Sequence, residues 1–125
     1  MIVVAAILSG GLGAVARYVV TGAVQARVEG TFPWGTAVVN VTGALLLGVL
    51  TGALRGGFVP LDVGVVLGGG FLGAYTTFST WMVETLRLAE SGGRSGFRAG
   101  AANVAWPLVA GLVGAVLGYV VGGWL

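Results

Sequence analysis

The chain contains no cysteine and no histidine. The first absence excludes disulfides, thiolate metal sites and cysteine nucleophiles, and it leaves the redox compartment open. The second removes the imidazole base and the side chain best placed to titrate near neutrality. Charge is scarce as well. Six basic and four acidic side chains make up only 8% of 125 residues, and every basic one is arginine. A soluble domain carries about a quarter charged residues, so this chain has too few to cover a surface facing water. A net charge of +2 is too small to point to nucleic acid as a partner. No P-loop, nucleophile–base pair or metal-ligand cluster is visible, so an enzyme is not expected.

What is present is apolar. Hydrophobic residues are 57% of the chain and the mean hydropathy is +1.02. Nearly uncharged runs of about 20 residues predict spanning helices. Four fit, over about 2–24, 34–54, 63–86 and 99–124, in one four-helix transmembrane domain covering 1–125. The first run lacks a basic leading region, and the chain after it is just as apolar. It is therefore read as a span and not as a cleaved signal. Three breaker groups separate the spans. Arg27, Glu29, Gly30 and Pro33 form the first, and Arg55, Gly56, Gly57, Pro60 and Asp62 the second. Glu90, Gly92, Gly93, Arg94 and Arg98 form the third. Asp62 reads as an N-terminal cap of the third span. The short middle connection predicts that spans two and three are antiparallel neighbours. The connections after spans one and three hold Arg27, Arg87, Arg94 and Arg98, against Arg55 alone on the other side. That bias favours termini outside a cell membrane crossed several times.

Glycine is plentiful, at 25 residues. Gly64 and Gly68, Gly69 and Gly73, and Gly118 and Gly122 have the spacing that lets helices approach closely in lipid. Four helices are too few to enclose a generous aqueous pore, so a conducting form implies an oligomer.

Polar groups within the spans are the candidate functional residues. Arg17 lies deep in span one, where a charge costs at least about 2.5 kcal/mol at the bilayer centre. Two readings stay open: a snorkelling anchor or a residue that attracts anions to a vestibule. Asn40 in span two either bridges helices or lines a polar path. In span three, Gly68, Gly69, Gly70 and Gly73 precede Thr76, Thr77, Phe78, Ser79 and Thr80. Each interior glycine weakens a helix by roughly 1 kcal/mol, so a break is predicted there. Such a break frees carbonyls to hold a cation, unless the hydroxyls merely bond back to the preceding turn. Glu84 follows as either a buried acid or an interfacial group.

The stretches GGLGAVARY, WGTAVVNVTGALLLG and GGGFLGAYTTFSTWMVE, in that order, resemble the Fluc (CrcB) family of fluoride channels. The likeness covers essentially the whole chain. It implies an all-α membrane protein with a broken third helix, paired antiparallel in a dual-topology dimer. Such a dimer has two narrow fluoride pores and a central structural Na+. The resemblance places Na+ on the main-chain carbonyls of Gly73 and Thr76. It places fluoride beside Asn40, Phe78 and Trp81, with Thr77 and Ser79 nearby, and Arg17 in the vestibule. Thr80 and Glu84 are further candidates, Glu84 matching a carboxylate after the signature. The implied function is passive export of cytoplasmic fluoride down its electrochemical gradient. Trp81 stands where the family has a second phenylalanine, and its indole edge carries an additional N–H donor. Ala44 stands where serine is common, and residues 99–125 contain no serine or threonine. With the arginine bias, these departures leave both a homodimer and a heterodimer with an oppositely inserted homologue open. The alternative reading is a small multidrug-type exporter, whose cation site Trp81 and Glu84 would form.

Overall fold

The computed structural model describes residues 1–125, and they fold into helices joined by short turns, with no strand. Helix α1 is Ile2–Gln25 and α2 is Trp34–Arg55. The third span is composite. Its first part, α3, occupies residues 61–75: a turn Leu61–Gly64, a π-helical stretch Val65–Leu72 and a closing turn Gly73–Tyr75. Thr76 and Thr77 are extended, and α4 follows over Phe78–Glu90. Helix α5 is Gly93–Gly122. Four segments are long and apolar enough to cross a membrane: Ile2–Gln25, Trp34–Arg55, Leu61–Glu90 and Gly93–Gly122. The chain is an all-α, multi-pass membrane protein.

Its side chains are distributed for lipid. Ile7, Leu8, Leu112 and Val116 are each more than half exposed, as residues facing hydrocarbon are. The interior holds Val39, Leu72 and Tyr75, with Val20, Leu50 and Phe71 against them. Helix pairs are held by backbone proximity. A Cβ on Gly48 or Gly52 of α2 would run into the backbone of Ala115 or Tyr119, and one on Gly118 or Gly122 of α5 would meet Leu45 or Val49. Without side chains there, the two helices touch main chain to main chain, where dispersion and packing drive association in lipid. Gly70 makes the same contact with α1, where a Cβ would lie 2.6 Å from the Ala6 carbonyl oxygen.

These matched glycines decide who neighbours whom. α2 packs chiefly on α5, and α3 chiefly on α1. Spans two and three are in contact along the third span, as expected, while Gly48 and Gly52 give α2 its closest surface on α5. Two expectations change. α5 begins at Gly93, earlier than about residue 99, and includes Arg94 and Arg98. Thirty residues span about 45 Å at 1.5 Å each, more than the ~30 Å hydrocarbon core, so those arginines lie on turns beyond the apolar run. Asp62 is not a cap. The N-cap position is Pro60, and Asp62 sits in the first turn without a capping hydrogen bond. The α4–α5 turn is tight and rests on Gly92 and Gly93, with φ of 144° and 53°, a region that side chains disfavour.

Candidate functional site

The interruption of the third span is the centre of the site, and its position differs from the sequence expectation. The glycine run at 68–70 does not break the helix. It lies within the π-helical stretch Val65–Leu72, and Gly73 itself is helical, with φ −60° and ψ −35°. The break comes after Tyr75. Thr76 adopts φ −84° and ψ 161°, and Thr77 φ −150° and ψ 125°. Glycine propensity is a weak prior that tertiary context overrides, and here the context is α2.

Asn40 of α2 supplies it. Its Oδ1 accepts the Thr77 N–H at 2.8 Å, and its Nδ2 donates to the Thr77 carbonyl at 2.9 Å. One amide thus satisfies both polar groups of a residue that has left the helix. In an unbroken helix the Thr77 N–H would bond the Gly73 carbonyl. With Asn40 holding it, and the Thr76 N–H bonded to Leu72, neither residue donates to Gly73. Arg17 of α1 reaches the same place, donating from a terminal guanidinium nitrogen to the Thr76 carbonyl at 3.1 Å. Its side chain is half-buried and bonded across the fold, which differs from an anchor extended to the membrane surface.

The hydroxyls divide by role. Thr76 bonds back to the Leu72 carbonyl at 3.0 Å. Thr77 works forward: its Oγ1 accepts the Thr80 N–H at 3.3 Å and caps α4. It also donates to Thr80 Oγ1 at 3.1 Å. Ser79 and Thr80 are exposed. Buried Tyr75 meets Thr42 of α2 through its hydroxyl at 3.0 Å.

One cavity adjoins the break and a second lies apart from it. An apolar groove of about 400 Å³ contains Asn40, Gly73, Thr76, Phe78 and Trp81. Phe78 is 70% exposed there, and its ring meets Trp81 edge to face, with centroids 6.0 Å apart and planes at 87°. The Trp81 indole N–H donates to the Asn103 carbonyl of α5 at 2.6 Å. A polar cleft of about 460 Å³ lies elsewhere, lined by Thr21, Gln25, Thr36, Glu84, Arg87 and Ser91 among others. Thr36 donates to one Glu84 oxygen at 2.9 Å, and the other is buried without a partner. Trp81 and Glu84, which an exporter's cation site would combine, therefore line different cavities.

A protein-family model described as "CrcB-like protein, Camphor Resistance (CrcB)" matches residues 4–119. The chain belongs to the CrcB family. Among named relatives, "Fluoride-specific ion channel FluC 2" of Mycobacterium tuberculosis strain H37Rv is 47% identical over 111 residues, 89% of this chain and 82% of the relative. "Fluoride-specific ion channel FluC 1" of Symbiobacterium thermophilum is 47% identical over 117 residues, 92% of each chain. The protein of that same name from Streptomyces avermitilis is 49% identical over 107 residues, 86% of this chain and 84% of the relative.

Within this CrcB chain, the fold gathers Arg17, Asn40, Gly73, Thr76 and Thr77 at the break and sets Phe78 and Trp81 beside them. Glu84 stands apart on the polar cleft. Sequence reasoning missed three partners. Thr36, which holds Glu84, lies in the matched stretch WGTAVVNVTGALLLG, but nothing in that stretch pairs it with Glu84. Thr85 and Asn103 join α4 to α5, with Asn103 Nδ2 donating to Thr85 Oγ1 at 2.8 Å. The available clue was that Asn103 is one of only two polar side chains, with Tyr119, between residues 99 and 125; the structure buries it fully.

Proposed function

We propose that this chain forms a fluoride-selective channel that lets cytoplasmic fluoride leave passively, two copies or two homologues pairing antiparallel. The observation that carries the reading is the Asn40-braced break, with an uncapped Gly73 carbonyl beside an exposed Phe78 edge. The names and close similarity of the relatives support the choice of anion.

The chemistry suits a small, strongly hydrated anion. Such an ion needs several weak donors in place of its water. Phe78 offers the positive rim of its quadrupole. Asn40 has a second Nδ2–H beyond the one held by Thr77, and Ser79 and Thr80 add exposed hydroxyls. Arg17 adds positive charge behind the break. Its guanidinium is fixed by the Thr76 carbonyl, so it contributes to the local potential without being free to trap the anion in a tight salt bridge.

The donor set also fits a structural Na+. The Gly73 and Thr76 carbonyls would hold it, the first free of its usual helical donor. The second keeps a lone pair, since a carbonyl oxygen has two and Arg17 uses one. Gly73 is exposed on the isolated protomer, so a second copy could bring its own pair of carbonyls to the same place. A bound Na+ would supply positive charge that offsets anion desolvation.

The test is reconstitution of the purified chain alone in liposomes loaded with fluoride or with chloride, following efflux electrically. Rapid efflux of fluoride only is expected. Equal efflux of both anions, or silence that no co-expressed homologue relieves, refutes the reading.

A further inference from the structure

Trp81 gives its single N–H to the main-chain carbonyl of Asn103. Pro107 lies inside α5, four residues further on. In an α-helix the carbonyl of residue 103 accepts from the N–H of residue 107, and proline has none. Such a carbonyl at membrane depth is tolerated when a neighbouring helix satisfies it. The bond from Trp81 does so at 2.6 Å. A second strand of bonds tightens the joint: Thr85 Oγ1 donates to the Trp81 carbonyl at 2.8 Å, and Asn103 Nδ2 donates to Thr85 Oγ1 at 2.8 Å. Trp81, Thr85 and Asn103 thus form a closed ring across α4 and α5, with Phe78 standing perpendicular to the anchored indole.

We propose that Trp81 is a positioning residue: its N–H is committed to the carbonyl that Pro107 orphans, and the indole so fixed sets the edge of Phe78. The indole has one donor, so Trp81 has no N–H left to offer an anion. This corrects the expectation that its N–H serves fluoride. The role of the Phe78 edge rests on the fluoride reading above; the lock itself does not.

The test is a two-background comparison. Trp81 is replaced by Phe, or by 3-benzothienylalanine, which keeps the bicycle and lacks the N–H. Each is made with and without Pro107→Ala, which restores a helical N–H for the same carbonyl. Three readouts are taken. The chain has two asparagines, Asn40 and Asn103, so carbonyl-13C asparagine gives two backbone signals. Unfolding in SDS gives the folded-to-unfolded ratio, and fluoride efflux from liposomes gives function.

With proline present, either replacement moves the Asn103 signal upfield, lowers the ratio by about tenfold and slows efflux. With Pro107→Ala, the signal stays in its bonded position, the loss shrinks to about threefold or less, and efflux recovers toward that of the Pro107→Ala single variant. An unmoved Asn103 signal, or equal losses in both backgrounds, overturns the lock. Efflux that falls equally in both backgrounds makes the indole N–H an anion donor and overturns the positioning role. A benzothienyl variant keeps the comparison alive where Trp81→Phe fails to fold. A wild-type chain that passes no fluoride, by itself or with a co-expressed homologue, sinks the pore reading alone, because the carbonyl signal still decides the lock.

Discussion

Replacing Asn40 by alanine probes the break directly. The change removes two hydrogen bonds, of 2.8 and 2.9 Å, from the main chain of one residue. It leaves the Thr77 N–H and carbonyl unpaired beside the groove. Each buried unsatisfied group costs about 1–3 kcal/mol. Thr77 is half-buried, so the sum is taken at the lower end, about 2–4 kcal/mol. That is a fall of roughly thirtyfold to a thousandfold in the folded-to-unfolded ratio. One relief is available to the chain: the Thr77 N–H can return to the Gly73 carbonyl as an ordinary helical bond. It regains about 1 kcal/mol but closes the break by a residue and turns Phe78 away from its place. Asn40→Asp separates the two bonds. It keeps an acceptor for the Thr77 N–H and turns the second bond into a repulsion between a carboxylate oxygen and the Thr77 carbonyl, since both atoms only accept. The assays are SDS unfolding and hydrogen exchange at the Thr77 amide. Asn40→Ala is expected to lower the unfolding midpoint and to alter Thr77 exchange, with Asn40→Asp sparing the amide. Wild-type unfolding and wild-type Thr77 exchange in Asn40→Ala would refute the brace.

Three further outcomes follow from the same geometry. Gly48→Ala drives a methyl into the Ala115 backbone and is expected to cost about 1–3 kcal/mol in unfolding. Gly11→Ala meets nothing within 4 Å and should be neutral or gain up to about 1 kcal/mol; equal effects would show that the α2–α5 contact is not made. Thr36→Val removes the single hydrogen bond to Glu84 and should destabilise by about 1–2 kcal/mol, while Thr36→Ser stays near wild type. Arg17→Met removes a charge bonded to the Thr76 carbonyl. A cation on that oxygen would lie ~5 Å from the guanidinium, a repulsion of about 3 kcal/mol at an effective dielectric of 20. Na+ is then expected to stabilise the Arg17→Met protein at concentrations at least about tenfold lower, read from melting curves across an Na+ series; an unchanged Na+ dependence rejects that placement.

Much of this molecule is legible in its sequence because lipid imposes a simple rule. Spans must be long and apolar, and α1 and α2 are readable on that ground alone. Asn40 and Arg17 stand out because polar groups are costly in such runs. The location of the break is not legible in the same way. Four glycines weaken residues 68–73, yet the chain absorbs them by widening into a π-helix against α1. The actual exit at Thr76 is set by a side chain on another helix, and single-segment propensity carries no term for that. Glycine spacing had partial reach. Gly118 and Gly122 do meet α2, but Gly69 meets nothing within 4 Å, because spacing shows that a smooth stripe exists and not what lies opposite it. Glu84 and Thr36 are 48 positions apart, a pairing that only the folded bundle reveals.

The turn between α4 and α5 has a consequence for how the protein reaches its membrane. Thr85 and Asn103 are 18 positions apart, and Trp81 and Asn103 22, so every member of their hydrogen-bonded ring belongs to one helical hairpin. None of these bonds draws on α1 or α2. The hairpin can therefore settle the donors of Trp81, Thr85 and Asn103 by itself, while its Glu84 carboxylate gains its hydrogen bond only when Thr36 of α2 docks.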